Sequence, residues 1–118
     1  MTDPIHHGDI WLVDLNPTRG AELQKVRPAV VLSVNAIGKL PIKLIAPITA
    51  WQESFKNNLW HIELQTSQAN GLNKLSAIDA LQIRSVDTSR FKTKLGKLEL
   101  DKLEDLQKAV MIVIGFSL

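Results

Sequence analysis

The first patterned segment runs from Asp9 to Leu15, where Trp11, Val13 and Leu15 share one side of an extended chain and Ile10 and Leu12 the other. Apolar residues on both sides predict a strand that is covered on both faces. Asn16-Pro17 and Gly20 punctuate a loop over Pro17 to Lys25. Arg27 to Val34 is then β-branched around Val30-Val31-Leu32, with Pro28 at its start, where a missing N–H costs no ladder bond. Ile42 to Ile48 predicts a third strand, its pairing bent or ended at Pro47. Leu59 to Leu64 alternates, Trp60, Ile62 and Leu64 against His61 and Glu63. After an Asn70-Gly71 turn, Ser76 to Val86 reads as one strand, and Phe91 to Leu98 as a lysine-rich edge strand.

The periodicity changes at the end of the chain. Leu103, Leu106, Val110 and Val113 recur at three- and four-residue spacing, with Asp101, Glu104 and Asp105 on the early turns, where carboxylates suit a helix dipole. Gly115 is placed to close that helix. Short strands followed by one helix predict a mainly β fold: a small curled antiparallel barrel with a C-terminal α-helix.

Composition narrows the function classes more than it names one. A chain of 118 residues, 45% hydrophobic and 22% charged, suits one domain spanning 1–118 with its own core. With no cysteine, thiolate metal sites, disulfides and cysteine nucleophiles drop out. The N-terminal residues lack a secretory h-region, and the longest apolar run, Ala109 to Ile114, is far shorter than a bilayer span, so the expectation is a cytoplasmic protein without a membrane partner. The net charge of +2 is small. The cations are unevenly spread: Arg84, Arg90, Lys92, Lys94 and Lys97 crowd one stretch, which is either a footprint for phosphates or a lysine-guarded sheet edge.

Familiar catalytic signatures are missing: no HExxH, no P-loop, no dinucleotide glycine pattern and no GxSxG. Cutting RNA without a metal is one chemistry that the residue types present would suit, although an Arg-Pro and a Thr alone carry almost no signal for it. There the neighbouring 2′-hydroxyl is the nucleophile, and the protein must stabilise an anionic phosphorane and manage two protons. A guanidinium fork matches phosphate oxygens and a hydroxyl adds one more donor. Arg27, before Pro28, and Thr49, just after Pro47-Ile48, supply that pair near strand ends. Trp11 and Trp60 lie on apolar faces and read as core, whereas Trp51 is the candidate for stacking on a base. His61 reads either as a satisfied strand histidine or as part of an RNA site.

The stretch GDIWLVDLNPTRGAELQKVRPAVVLS, Gly8 to Ser33, resembles the opening of MazF/PemK-like growth-inhibitor toxins, with its Gly-Asp-Ile-aromatic strand, Gly-x-Glu loop and Arg-Pro entry into an aliphatic strand. APITAW, HIEL and LSAIDALQIRSVD follow in the order of that family's later strands. The resemblance spans nearly the whole chain. It implies a Src-homology-type barrel, a two-fold homodimer, and a sequence-selective, metal-independent endoribonuclease acting on single-stranded RNA and restrained by a cognate antitoxin protein. No cofactor is implied.

Carried over by position, Arg27 and Thr49 match the catalytic pair, Arg27 at the scissile phosphate and Thr49 at the phosphorane. A guanidinium stays charged through the neutral range, so an electrostatic role for Arg27 fits its chemistry better than proton transfer. Glu22 matches a loop glutamate beside the substrate and Gln82 a glutamine that helps bind bases; Lys25, Trp51 and His61 complete the expected RNA-binding set. The chain departs from the family at Leu81, where some members carry an acid. That departure and the near-neutral charge keep a non-catalytic RNA-binding barrel as the alternative. A gyrase-poisoning toxin of the same fold is disfavoured, because those toxins end in Trp-Gly-Ile and this chain ends Gly115-Phe116-Ser117-Leu118.

Overall fold

A computed structural model describes residues 4–117. Among the described residues there are seven strands: β1 (Asp9–Asp14), β2 (Val26–Val31), β3 (Ile42–Ala50), β4 (His61–Leu64), β5 (Ser76–Asp79), β6 (Arg84–Asp87) and β7 (Phe91–Lys97), followed by α1 (Leu100–Val113). All pairings are antiparallel, in the order β4-β5-β3-β2-β1-β7, with β6 added to β3. The result is the expected mainly β architecture, a curled sheet that does not close, with one helix at the end.

β3 is the axis of the curl. One edge pairs β2 through Ile45, Ala46 and Pro47, and the other pairs β6 over Ile42–Ile45 and then β5 over Ile48–Ala50. Of the two outcomes its sequence allowed, Pro47 does not end the strand but falls where pairing changes: it lies in the gap between the two partners on that second edge. The single strand expected over Ser76 to Val86 is also two. Asp79 Oδ1 accepts the Leu81 N–H at 3.0 Å and starts a 3₁₀ turn over Ala80–Gln82, so the chain leaves β3 and rejoins it as β6. An Asx turn competes with the ladder by offering the backbone a local acceptor.

The two-sided pattern of β1 has a direct counterpart in two cores. Ile10, Val30, Ala46, Ile48, Ile62, Leu64 and Ile78 pack with Leu103 and Leu106 of α1 on one side of the sheet. Trp11, Val13, Leu15, Ala29, Val31, Ile45 and Val86 form the second core on the other side. Each buried leucine of α1 contributes on the order of 2 kcal/mol. The helix ends where Gly115 takes φ +78°, with its N–H bonded to Ile112 O at 3.1 Å and that of Phe116 bonded to Met111 O at 2.8 Å. That pair of bonds is a Schellman closure.

Candidate active site

Arg27 and Thr49 meet because of the β2–β3 register. Ala29 pairs Pro47 and Val31 pairs Ile45, so extending the same register by two residues sets Arg27 opposite Thr49. Alternation puts both side chains on the face of the second core, on the opposite side from α1. Arg27 Nη1 donates to Thr49 Oγ1 at 3.4 Å, and Arg27 Nε donates to Gln24 O at 2.7 Å. Two anchors fix the plane of the guanidinium. Both residues are half-buried and border a pocket of about 150 Å³, which Asn73, Lys74 and Ser76 also line. Lys74 went unnoticed in the sequence; it follows the Asn70-Gly71 turn, and only the fold brings that turn beside Arg27.

Glu22 and Lys25 lie on the loop between β1 and β2, and both are exposed. Glu22 Oε1 accepts the Arg19 N–H at 2.7 Å, which curls the loop tip, and Lys25 takes φ +73°, unusual for a residue with a side chain. Gln82 faces this loop from the Ala80–Gln82 turn, and both ends of its amide are bonded to loop backbone. Trp51 is half-buried, edge-on to Phe55 with ring centroids 5.7 Å apart. Trp11 is 4% exposed and Trp60 packs against the first core, as their apolar faces predicted.

His61 is not an open RNA-facing side chain. Its ring stacks on Phe55 at 3.6 Å, its Nδ1 meets the Asn58 amide, and its Nε2 lies 3.4 Å from Asp79 Oδ2. Burial pushes the imidazole pKa below its ordinary value and outweighs the neighbouring Asp79 carboxylate, which pushes it up. A histidine held neutral in the fold stabilises the protein above its unfolded pKa, and that contribution is lost as pH falls through and below that value. Lowering the pH from 7.5 to 5.5 should therefore reduce the melting temperature of the wild-type protein more than that of His61→Gln. Equal losses in the two proteins would remove His61 from the pH response.

The clustered cations are largely turned inward. Arg84 Nη1 donates to Leu15 O at 3.1 Å, Arg90 Nη1 donates to Asp14 O at 3.0 Å and also to Asn16 O, and Lys94 Nζ lies 3.5 Å from the fully buried Asp9 carboxylate. Arg84 and Arg90 hold the end of β1 and its loop, Lys94 pairs at the start of β1, and Lys92 and Lys97 remain exposed on the edge strand. The structural use of that stretch therefore dominates over a phosphate footprint.

The same curled sheet and terminal helix recur in solved MazF structures. MazF from Deinococcus radiodurans superposes with a TM-score of 0.81 at 23% identity, covering 97% of this chain and 100% of that one. The MazE–MazF structure from the same organism, in a second crystal form, matches with a TM-score of 0.75 at 24% identity, over 98% of this chain and 100% of that chain. Likeness at such identity speaks for the fold. The sequence goes further: residues 6–114 match the family described as PemK-like, MazF-like toxin of type II toxin-antitoxin system. Endoribonuclease MazF of Staphylococcus saprophyticus is 33% identical over 112 residues, 94% of this chain and 92% of the relative. The chain belongs to the PemK/MazF toxin family.

Proposed function

We propose that this protein is the toxin of a toxin–antitoxin pair and an endoribonuclease that cleaves single-stranded RNA at selected sequences without a metal. The observation that carries the reading is the Arg27–Thr49 pair, 3.4 Å apart at the border of a pocket. The relative named an endoribonuclease, at 33% identity over most of both chains, supports it. Gln24 O and Thr49 Oγ1 occupy Nε and Nη1 of Arg27, which leaves Nη2 for a phosphate oxygen. As O2′ gives up its proton and bonds to phosphorus, charge grows on the non-bridging oxygens, where the guanidinium and the Thr49 hydroxyl stabilise it. The P–O5′ bond then breaks and O5′ takes up a proton. The fragment upstream of the cut ends in a 2′,3′-cyclic phosphate.

Cleavage of a long single-stranded RNA should therefore persist in EDTA and leave a 2′,3′-cyclic phosphate or its hydrolysis product. The same RNA with a 2′-deoxy residue at the cut site should resist. A strict magnesium requirement, or cutting of the deoxy substrate, would count against this chemistry. No cleavage of any RNA would favour the non-catalytic barrel instead.

The working unit in this reading is a homodimer with two equivalent sites about a two-fold axis. Ile112, Ile114 and Phe116 at the end of α1 are 51%, 67% and 56% exposed, an apolar surface suited to a second copy. Light scattering at micromolar concentration should give the mass of two chains, and a fully active monomer would end that part of the reading. The MazE–MazF relative supports a cognate antitoxin as the other partner. An acidic antitoxin segment over Arg27, Lys25 and Lys74 would block the site, with affinity that falls as salt rises.

A further inference from the structure

The segment between β1 and β2, from Leu15 to Lys25, has no ladder of its own, yet it is tied down along its length. At its ends, Leu15 N–H donates to Lys25 O at 3.0 Å and Lys25 N–H to Asn16 Oδ1 at 3.1 Å. Its middle is held from the other half of the chain. Gln82 Oε1 accepts the Leu23 N–H at 2.6 Å, and Gln82 Nε2 donates to Ala21 O at 3.0 Å. An amide that bonds one backbone donor and one backbone acceptor has a fixed orientation, because flipping it would set donor against donor and acceptor against acceptor. Gln82 is itself fixed by the 3₁₀ turn that Asp79 starts.

This clamp shapes the surface beside the catalytic pair. A pocket of about 310 Å³ lies between the loop and the turn, with Ala21, Glu22 and Leu23 on one side, Gln82 and Arg84 on the other, and Pro47 between them. Pro47 is two residues before Thr49 on β3 and shares its face. The loop wall next to the Arg27–Thr49 site is thus held up by Gln82. Beyond these two bonds the Gln82 amide keeps one lone pair on Oε1 and one N–H on Nε2, but any contact that pulled the amide out of place would release the wall.

We infer that Gln82 is a positioning residue that clamps the Leu15–Lys25 loop against the sheet and so builds one wall of the RNA groove. The groove rests on the ribonuclease reading above; the clamp does not. Gln82→Met keeps the length of the side chain and removes both hydrogen bonds. In RNA-free protein, amide exchange at Leu23 should then quicken about tenfold or more, while Val30 and Ala46 in the sheet keep their protection. With a short single-stranded RNA containing one cut site, KM should rise about tenfold and kcat stay within about twofold, since ordering the wall affects binding rather than chemistry. The order of preference among RNA sequences should not change. Gln82→Glu restores an acceptor for the Leu23 N–H, so it should recover Leu23 protection and part of the lost KM. Unchanged Leu23 exchange in Gln82→Met would overturn the clamp. So would a selective loss of one nucleotide's preference with the loop amides still protected, which would mark a base reader. If the wild-type protein cuts no RNA, the proposed function fails, and the exchange measurement still decides the clamp on its own.

Discussion

Arg27→Ala lowers RNA cleavage by about a hundredfold or more while the protein stays folded. Loss of one donor aimed at a developing oxyanion typically has an effect of that size. Arg27 removes its own interactions cleanly: it stands at the start of β2, half-buried, and its Nε bond goes to Gln24, an exposed residue whose carbonyl water can satisfy. The stability cost should be only about 1 kcal/mol. Thr49→Ala removes the hydroxyl that anchors Nη1 and that the proposed mechanism uses at the phosphorane, so it should slow cleavage too, though less severely. Arg27→Lys is an informative companion, because it keeps the charge and loses the planar fork; it should remain well below wild type. Single-turnover cleavage of one labelled RNA, with urea unfolding of each variant, measures both quantities. A folded Arg27→Ala protein that cuts at the wild-type rate would remove Arg27 from the chemistry.

The largest effect on stability is expected at Gly71. It takes φ +68°, and a Cβ built there would lie 2.2 Å from Leu95 O and 2.8 Å from Leu95 C in β7. The overlap is with backbone, so no side chain can swing away. The loop before it cannot retreat easily either. Asn70 is 1% exposed, with its Oδ1 accepting from Ser67 N–H and Leu72 N–H and its Nδ2 donating to Gln65 O, and Lys97 N–H donates to Ala69 O at 2.8 Å. Gly71→Ala should cost about 3 kcal/mol or more, combining left-handed strain with a forced backbone shift. Gly20→Ala serves as the control. Gly20 also has positive φ, +55°, but an added Cβ meets nothing within 4 Å, so its cost should be about 1 kcal/mol. Urea midpoints at unchanged m-values would read the difference. Equal losses at the two glycines would show that the β7 contact gives way.

The hydrophobic pattern by itself determined the elements that bury an alternating or helical face. β1, β2, β4 and α1 stand close to where Trp11/Val13/Leu15, Val30-Val31, Ile62/Leu64 and Leu103/Leu106 put them, and the two-sided apolar character of β1 corresponds to the two cores. These features are local: side-chain period and burial decide them, and both are written along one segment. The tertiary structure alone decided three others. Pro47 continues β3 because its position falls between two partner strands, which no window around Pro47 contains. The break at Ala80–Gln82 follows from Asp79 bonding the Leu81 N–H, an alternative to the ladder that the apolar run Ala80-Leu81 conceals. His61 and Gln82 look from their neighbours like free polar groups on strands, yet Phe55, Asn58 and Asp79 enclose the first, and a loop about sixty residues away occupies the second. Sequence spacing reports which face a side chain takes. What stands across from that face depends on pairings between distant segments, and those are settled by the free energy of the whole sheet rather than by any one strand.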